Sequence, residues 1–154
     1  MRAPTVIEPG RLIAGRHPCA LDPANAAREV RDLLDAGVTL FLDLTQNGEL
    51  EQYASLVDEP ARYVNHPVRD FSIPTRANLV AILDAIDAEL AGGGIVFVHC
   101  WAGCGRTGVV VASWLVRHGV EPQEALRRIA EARGDGCPQT LEQSTFVLGW
   151  REGL

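Results

Sequence analysis

The sequence predicts an α/β fold, a three-layer sandwich with a mostly parallel central sheet flanked by helices, and three observations carry that prediction. Two short, nearly continuous apolar runs, VTLFLDL at 38–44 and IVFVH at 95–99, read as strands covered on both faces. A stretch with helical periodicity lies between them, with Leu79, Ile82, Leu83, Ile86 and Leu90 on one stripe. Further helical segments follow the second run. Strands that alternate with helices are joined by crossovers, which lay the strands parallel.

Each element has its own local reason. TVIEPGRLIA at 5–14 predicts a short hairpin bent at Pro9-Gly10. Asp22-Pro23 supplies an N-cap and a first-turn proline, AREVRDLLDA continues as a helix, and Gly37 stands where a chain leaves one. RYVNHPV at 62–68 is a weaker strand. Thr75 caps the next helix, which stops at Gly92-Gly93-Gly94. After IVFVH comes glycine-punctuated chain, then a helix from near Thr107 to Gly119 and another opened by Pro122. A last helix is expected from Pro138–Thr140 to Trp150.

The 154 residues fit one domain, 1–154, with no repeat and no linker. A hydrophobic content of 47% with 22% charged residues leaves no large part that must be disordered. The net charge of −6 argues against nucleic acid as a partner. The longest apolar runs are too short to span a bilayer, and no secretory h-region opens the chain, so no membrane insertion and a cytoplasmic location are expected. In that compartment Cys19, Cys100, Cys104 and Cys137 are expected as reduced thiols, and their spacing fits no zinc motif. No metal or cofactor is expected, and the expected state is a monomer.

The chemistry concentrates in His99-Cys100-Trp101-Ala102-Gly103-Cys104-Gly105-Arg106-Thr107-Gly108. A buried strand ends in a cysteine, a glycine-rich loop follows, and an arginine stands at the threshold of a helix. Gly103 and Gly105 let successive N–H groups turn inward as an anion nest. The helix start adds unpaired amides and a positive dipole end. Arg106 brings a planar fork that matches two phosphate oxygens. Groups that hold a phosphate in this way also favour a thiolate nucleophile. The backbone of 101–105 (Trp101, Ala102, Gly103, Cys104, Gly105) and the Arg106 side chain are therefore the expected phosphate-binding residues.

HCWAGCGRTG resembles the C-x5-R-[ST] signature of the protein tyrosine phosphatase superfamily, in its compact dual-specificity and kinase-associated group. The resemblance extends from about residue 60 to 150. It implies a phosphocysteine mechanism with Cys100 as nucleophile. His66-Pro67-Val68-Arg69-Asp70-Phe71-Ser72-Ile73-Pro74 is similar to the family's general-acid loop and implies Asp70 as acid. Gln139-Thr140-Leu141-Glu142-Gln143 is similar to the segment that positions the hydrolytic water, which implies a role for Gln143. Thr107 is placed by the resemblance to hydrogen-bond the Cys100 sulfur, and His99 to orient the loop.

Alternatives stay open at this point. Asp43, at a strand end, is the competing acid. Cys104 could serve as a redox partner of Cys100 only if the loop lets the two side chains meet. Arg69 and Arg76 could favour multiply phosphorylated ligands or stand as solvated surface charges. A rhodanese-type sulfurtransferase does not require Arg106-Thr107, and low-molecular-weight phosphatases carry their signature near the N-terminus. A non-catalytic phosphoprotein-binding module is the reading from another class. The expected substrate is a phosphorylated protein, with phosphoinositides or other small phosphomonoesters as the alternative.

Overall fold

The computed structural model describes residues 1–152. The predicted hairpin forms from β1 (Thr5–Ile7) and β2 (Leu12–Gly15), paired antiparallel across Pro9-Gly10. The remaining strands are β3 (Leu40–Asp43), β4 (Arg62–Asn65) and β5 (Val96–His99), in the order β1-β2-β5-β3-β4. The pairs β2–β5, β5–β3 and β3–β4 are all parallel. The helices are α1 (Ala26–Asp35), α2 (Arg76–Ala91), α3 (Arg106–Arg117), α4 (Pro122–Arg133) and α5 (Leu141–Leu148).

Alternation along the strands builds the three layers. Leu12, Ala14, Leu40, Leu42, Val96 and Val98 share a buried cluster with Leu79, Ile82, Leu83 and Ile86 of α2 and with residues of α3, α4 and α5. The intervening Ile13, Phe41 and Phe97 face the other way, onto Val30 and Leu33 of α1 and onto Tyr53. Period-two side chains thus give the sheet two apolar faces, and helices cover both. Gly15, His99 and Asp43 are in register at the carboxyl ends of three adjacent parallel strands. Loops leaving that edge converge, and the site lies there.

Two helix boundaries differ from expectation. α3 begins at Arg106 with Gly105 as its N-cap, so Thr107 is inside the first turn and caps nothing. α5 stops at Leu148, because Gly149, a weak helix former, takes the C-cap and Trp150 lies beyond it. Its start is set by a reciprocal capping box between Thr140 and Gln143.

Candidate active site

The loop from Cys100 to Gly105 turns its carbonyls outward one by one. His99 Nδ1 donates to Cys100 O at 3.0 Å, and the His17 amide donates to Trp101 O at 2.9 Å. Arg133 donates to Ala102 O at 3.1 Å and to Gly103 O at 2.9 Å. The amides of Gly108 and Val109, in the first turns of α3, bond Cys104 O and Gly105 O at 3.2 and 3.0 Å. Among the described residues, the backbone amides from Trp101 to Thr107 donate to no protein acceptor. A trans peptide points its N–H opposite to its C=O, so outward carbonyls leave a ring of inward donors. Gly103 makes the bend at φ +74, where a Cβ would lie 2.3 Å from Gly15 O and 2.8 Å from Arg133 Nη2. Gly105 faces the glutamines of the 139–143 segment, and a Cβ there would lie 2.4 Å from Gln139 Oε1.

Arg106 is buried and held on several sides. Its Nη1 and Nη2 bond the two oxygens of Glu49 at 2.8 and 3.0 Å, and Nη1 also bonds Val68 O at 2.9 Å. Asp70 Oδ1 lies 3.1 Å from Nη2. Nε is buried and has no partner. Burial alone would raise the Glu49 pKa, but hydrogen bonds from Arg106 and from the Gln46 amide outweigh it and leave the carboxyl below its ordinary range. Glu49 is a site residue that the sequence analysis did not identify.

Asp70, at the tip of the loop after β4, is thus beside the arginine, with its Oδ1 also accepting the Phe71 amide at 2.9 Å. Phe71 has φ +61 and is 58% exposed. A bulky residue in the left-handed region signals local strain of the kind that gathers at functional loops. Asp43, the competing acid, lies on the other face of the sheet through strand alternation. It shares the α1 face with Phe41, is buried, and is tied to Thr45 at 2.8 and 2.6 Å and to the Tyr63 hydroxyl at 2.6 Å.

Gln143 is fully buried. Its Oε1 accepts from the Gln139 and Thr140 amides at 3.0 and 3.1 Å, and its Nε2 donates to Ser72 O at 3.0 Å. One side chain therefore caps α5 and ties it to the Asp70 loop. Thr107 Oγ1 is buried without a hydrogen-bond partner, so the expected bond to the Cys100 sulfur is not formed here. Arg76 bonds Arg151 O and lies over the Trp150 ring at 4.9 Å, so it is engaged away from the site.

Behind Cys100 lies a buried polar network on the α1 face. A carbonyl only accepts, so the His99 proton sits on Nδ1 toward Cys100 O, and Nε2 accepts from the Tyr53 hydroxyl. Burial lowers the His99 pKa, with Asp43, 3.9 Å away, opposing it. His17, edge-on to both Tyr53 and His99, is pushed down to about 4, first by burial and then by His99. Both imidazoles are neutral at pH 7.

The expectation of four reduced thiols holds for Cys19 and Cys100 and fails for the other two. Cys104 and Cys137 form a disulfide, with Cα atoms 4.9 Å apart, inside the usual bridging range. The α4–α5 connection packs on the end of the loop and the first turn of α3: a Cβ on Gly105 would lie 2.4 Å from Gln139 Oε1, and one on Gly108 would lie 3.3 Å from Pro138 Cγ. That packing brings together two cysteines 33 positions apart in sequence. It also removes Cys104 as a redox partner of Cys100.

Comparisons with known proteins match this arrangement. Residues 19–120 match the family described as "Tc-R-P: Polymorphic toxin system, DSP-PTPase phosphatase". Cyclin-dependent kinase inhibitor 3 of Sus scrofa is 27% identical over 138 residues, covering 84% of this chain. The chain spans 65% of that relative's length. Tk-PTP in its active form superposes with a TM-score of 0.81 at 27% identity, over 95% of this chain and 93% of that one. Kinase-associated phosphatase, solved with a serine at its catalytic-site cysteine, shares the fold at a TM-score of 0.77 and 23% identity, over 88% and 82% of the two chains. Since the matched segment is about two-thirds of the sequence and contains Asp70, Cys100 and Arg106, the chain belongs to the dual-specificity protein tyrosine phosphatase family.

Proposed function

We propose that this protein hydrolyses phosphate monoesters on proteins, at tyrosine and at serine or threonine, through a phosphocysteine at Cys100. The observation that carries the reading is the ring of unpartnered amides from 101 to 107 around a free cysteine, closed by the Arg106 guanidinium. In the first step the Cys100 thiolate attacks phosphorus. The S–P bond forms as the ester P–O bond breaks, and Asp70 gives its proton to the departing oxygen. In the second step water attacks phosphorus, Asp70 takes a water proton, and the S–P bond breaks to return thiolate and inorganic phosphate. Gln139, whose Oε1 faces Gly105, orients that water in this reading, and the buried Gln143 acts by holding the Gln139 and Thr140 amides beside it. Thr107 Oγ1, buried and unpartnered, is free to turn toward the sulfur as it departs. Arg106 Nε and Nη2, with the amides, neutralise charge on the equatorial oxygens, so no metal is required.

The rim favours a protein side chain over a highly charged small molecule. Phe71 and Trp101 are exposed beside Asp70 and Cys100, and Leu141 is 83% exposed beside the glutamines. Of the two rim arginines, Arg76 is already committed to Trp150 and Arg151. The test has two arms. Rapid quench with p-nitrophenyl phosphate followed by intact-mass measurement should show a phosphorylated wild-type chain and none in Cys100→Ser. A panel of phosphopeptides, phosphoinositides and sugar phosphates should give the highest kcat/KM with phosphopeptides. An unmodified wild-type chain that still turns over would refute the phosphocysteine, and a preference for inositol or sugar phosphates would refute the substrate class.

A further inference from the structure

Arg133, in the last turn of α4, is 5% exposed, yet no carboxylate lies within ion-pair distance of it among the described residues. All its partners are neutral oxygens. Nε donates to Gly103 O at 2.9 Å, and Nη2 to Ala102 O at 3.1 Å and Arg2 O at 3.3 Å. Nη1 donates to Ala3 O at 2.6 Å, Thr5 Oγ1 at 3.1 Å and Ala14 O at 3.3 Å. A buried charge without a counter-charge is costly, and dipoles offset that cost only in part. Five N–H donors suit this set of oxygens, and the feature that packing alone does not call for is the positive charge, which has no carboxylate to meet it. Burial lowers its pKa from the ordinary arginine value, and the charge at Cys100 is the first influence that opposes this.

We infer that Arg133 is a positioning residue for the phosphate loop, which holds the Ala102 and Gly103 carbonyls outward and places a second fixed positive charge behind the bound oxyanion. The inference rests on the phosphatase reading of the loop. Its geometry follows from the planar peptide. Drawing Ala102 O outward aims the Gly103 amide inward, and drawing Gly103 O outward does the same for the Cys104 amide. A cation on each carbonyl also polarises that peptide unit, which strengthens the N–H at its opposite end. Two of the inward donors are thus oriented and strengthened by one residue that never touches substrate. The missing counter-charge arrives with the ligand.

The test uses orthovanadate binding to the full chain and p-nitrophenyl phosphate kinetics, with melting temperature measured in parallel. Arg133→Met removes charge and fork and should weaken orthovanadate at least tenfold, with kcat/KM falling by a similar factor. Arg133→Lys keeps the charge and should recover part of both. Thr5→Val removes only an N-terminal contact of the same guanidinium, and should lower the melting temperature without changing orthovanadate affinity. Should Arg133→Met fail to fold, the Arg133→Lys and Thr5→Val comparison still decides. Wild-type orthovanadate affinity in a folded Arg133→Met, or a Thr5→Val loss as large as the Lys loss, would overturn the inference in favour of a structural role, and wild-type affinity in Arg133→Lys would overturn the part assigned to the fork. Absence of orthovanadate binding and turnover in the wild type would instead refute the reading of the loop itself.

Discussion

Glu49 grips Arg106 across both terminal nitrogens, at 2.8 and 3.0 Å, and leaves Nε as the buried nitrogen without a partner. The carboxylate occupies the outer edge of the fork, and on the Nε–Nη2 edge Asp70 stands 3.1 Å from Nη2 beside the open Nε. On the proposed reading, phosphate takes that edge beside Asp70, and Glu49 sets which face of the guanidinium meets it. Glu49→Gln keeps the shape and loses the charge-assisted pair. We expect kcat/KM to fall about tenfold to a hundredfold, or about 1.4–2.8 kcal/mol of transition-state stabilisation. A faster Gln variant would mean that Glu49 occludes the fork instead of aligning it.

Arg106→Lys should be more damaging than its conserved charge suggests. Lysine cannot satisfy Glu49, Val68 O and two phosphate oxygens from one nitrogen. A loss of at least tenfold to a hundredfold in kcat/KM is expected. Near-wild-type kinetics would show that the fork is not the phosphate ligand.

The Cys104–Cys137 bond closes a 33-residue separation and fastens the Cys100–Gly105 loop to the α4–α5 connection. In the chain-entropy view a loop of that size contributes about 3–4 kcal/mol. Cys137→Ser, or a thiol reductant on the wild type, should lower the urea midpoint correspondingly, and the two should not add. An unchanged midpoint would show that the two sulfurs are not joined. Because Cys104 is committed to Cys137, peroxide-treated wild type and Cys104→Ser should recover equally with thiol.

The buried imidazoles make stability depend on pH. His17 binds a proton below about 4 in the folded protein and below 6.5 when unfolded. The unfolded chain therefore holds more protons between those values, and stability falls as pH is lowered through that window. The shift corresponds to about 3 kcal/mol from His17, with His99 acting in the same direction. Melting temperature measured from pH 7 to 4 should drop, and the slope should flatten in His17→Asn. A wild-type melting curve that is flat across this range would contradict neutral burial.

How much of this was legible in the sequence follows from the range over which each interaction acts. The hairpin, the two central strands, the Thr75 cap and the Cys100–Arg106 loop are coded by neighbouring residues, and each formed as read. Glu49 gave no local signal: it sits 57 positions from Arg106, in a loop whose path only the fold determines. Arg133 did carry one, because it follows Ala125 and Ile129 at four-residue spacing on the buried stripe of α4, off which the exposed Arg127 and Arg128 fall, but the spacing does not say what its guanidinium would bond. The disulfide was missed because compartment was used to infer pairing, whereas the pairing depends on the α4–α5 connection packing on the end of the loop. For Asp43 against Asp70, alternation along β3 was readable, but which face the loop would occupy was not.

Asp70 can be tested through the leaving group. A general acid matters in proportion to how much the departing oxygen needs a proton. p-Nitrophenolate is a stable anion, whereas a tyrosine phenolate or serine alkoxide is far more basic. Asp70→Asn keeps an acceptor for the Phe71 amide and loses the proton and the ion pair with Arg106. It should slow p-nitrophenyl phosphate modestly, and a tyrosine or serine phosphopeptide by about a hundredfold or more, within the usual range for acid catalysis. Phosphopeptide binding should persist, because the carboxyl acts mainly in the transition state, so the variant should retain substrate on pull-down. The alkaline fall of wild-type kcat should also flatten, since no acid remains to be lost. Asp43 offers no fallback, because it is buried on the α1 face and bound by Thr45 and Tyr63. If Asp70→Asn slows every leaving group by the same factor and keeps the alkaline limb, Asp70 acts only as a clamp on Arg106, and the proton must reach the leaving oxygen from solvent.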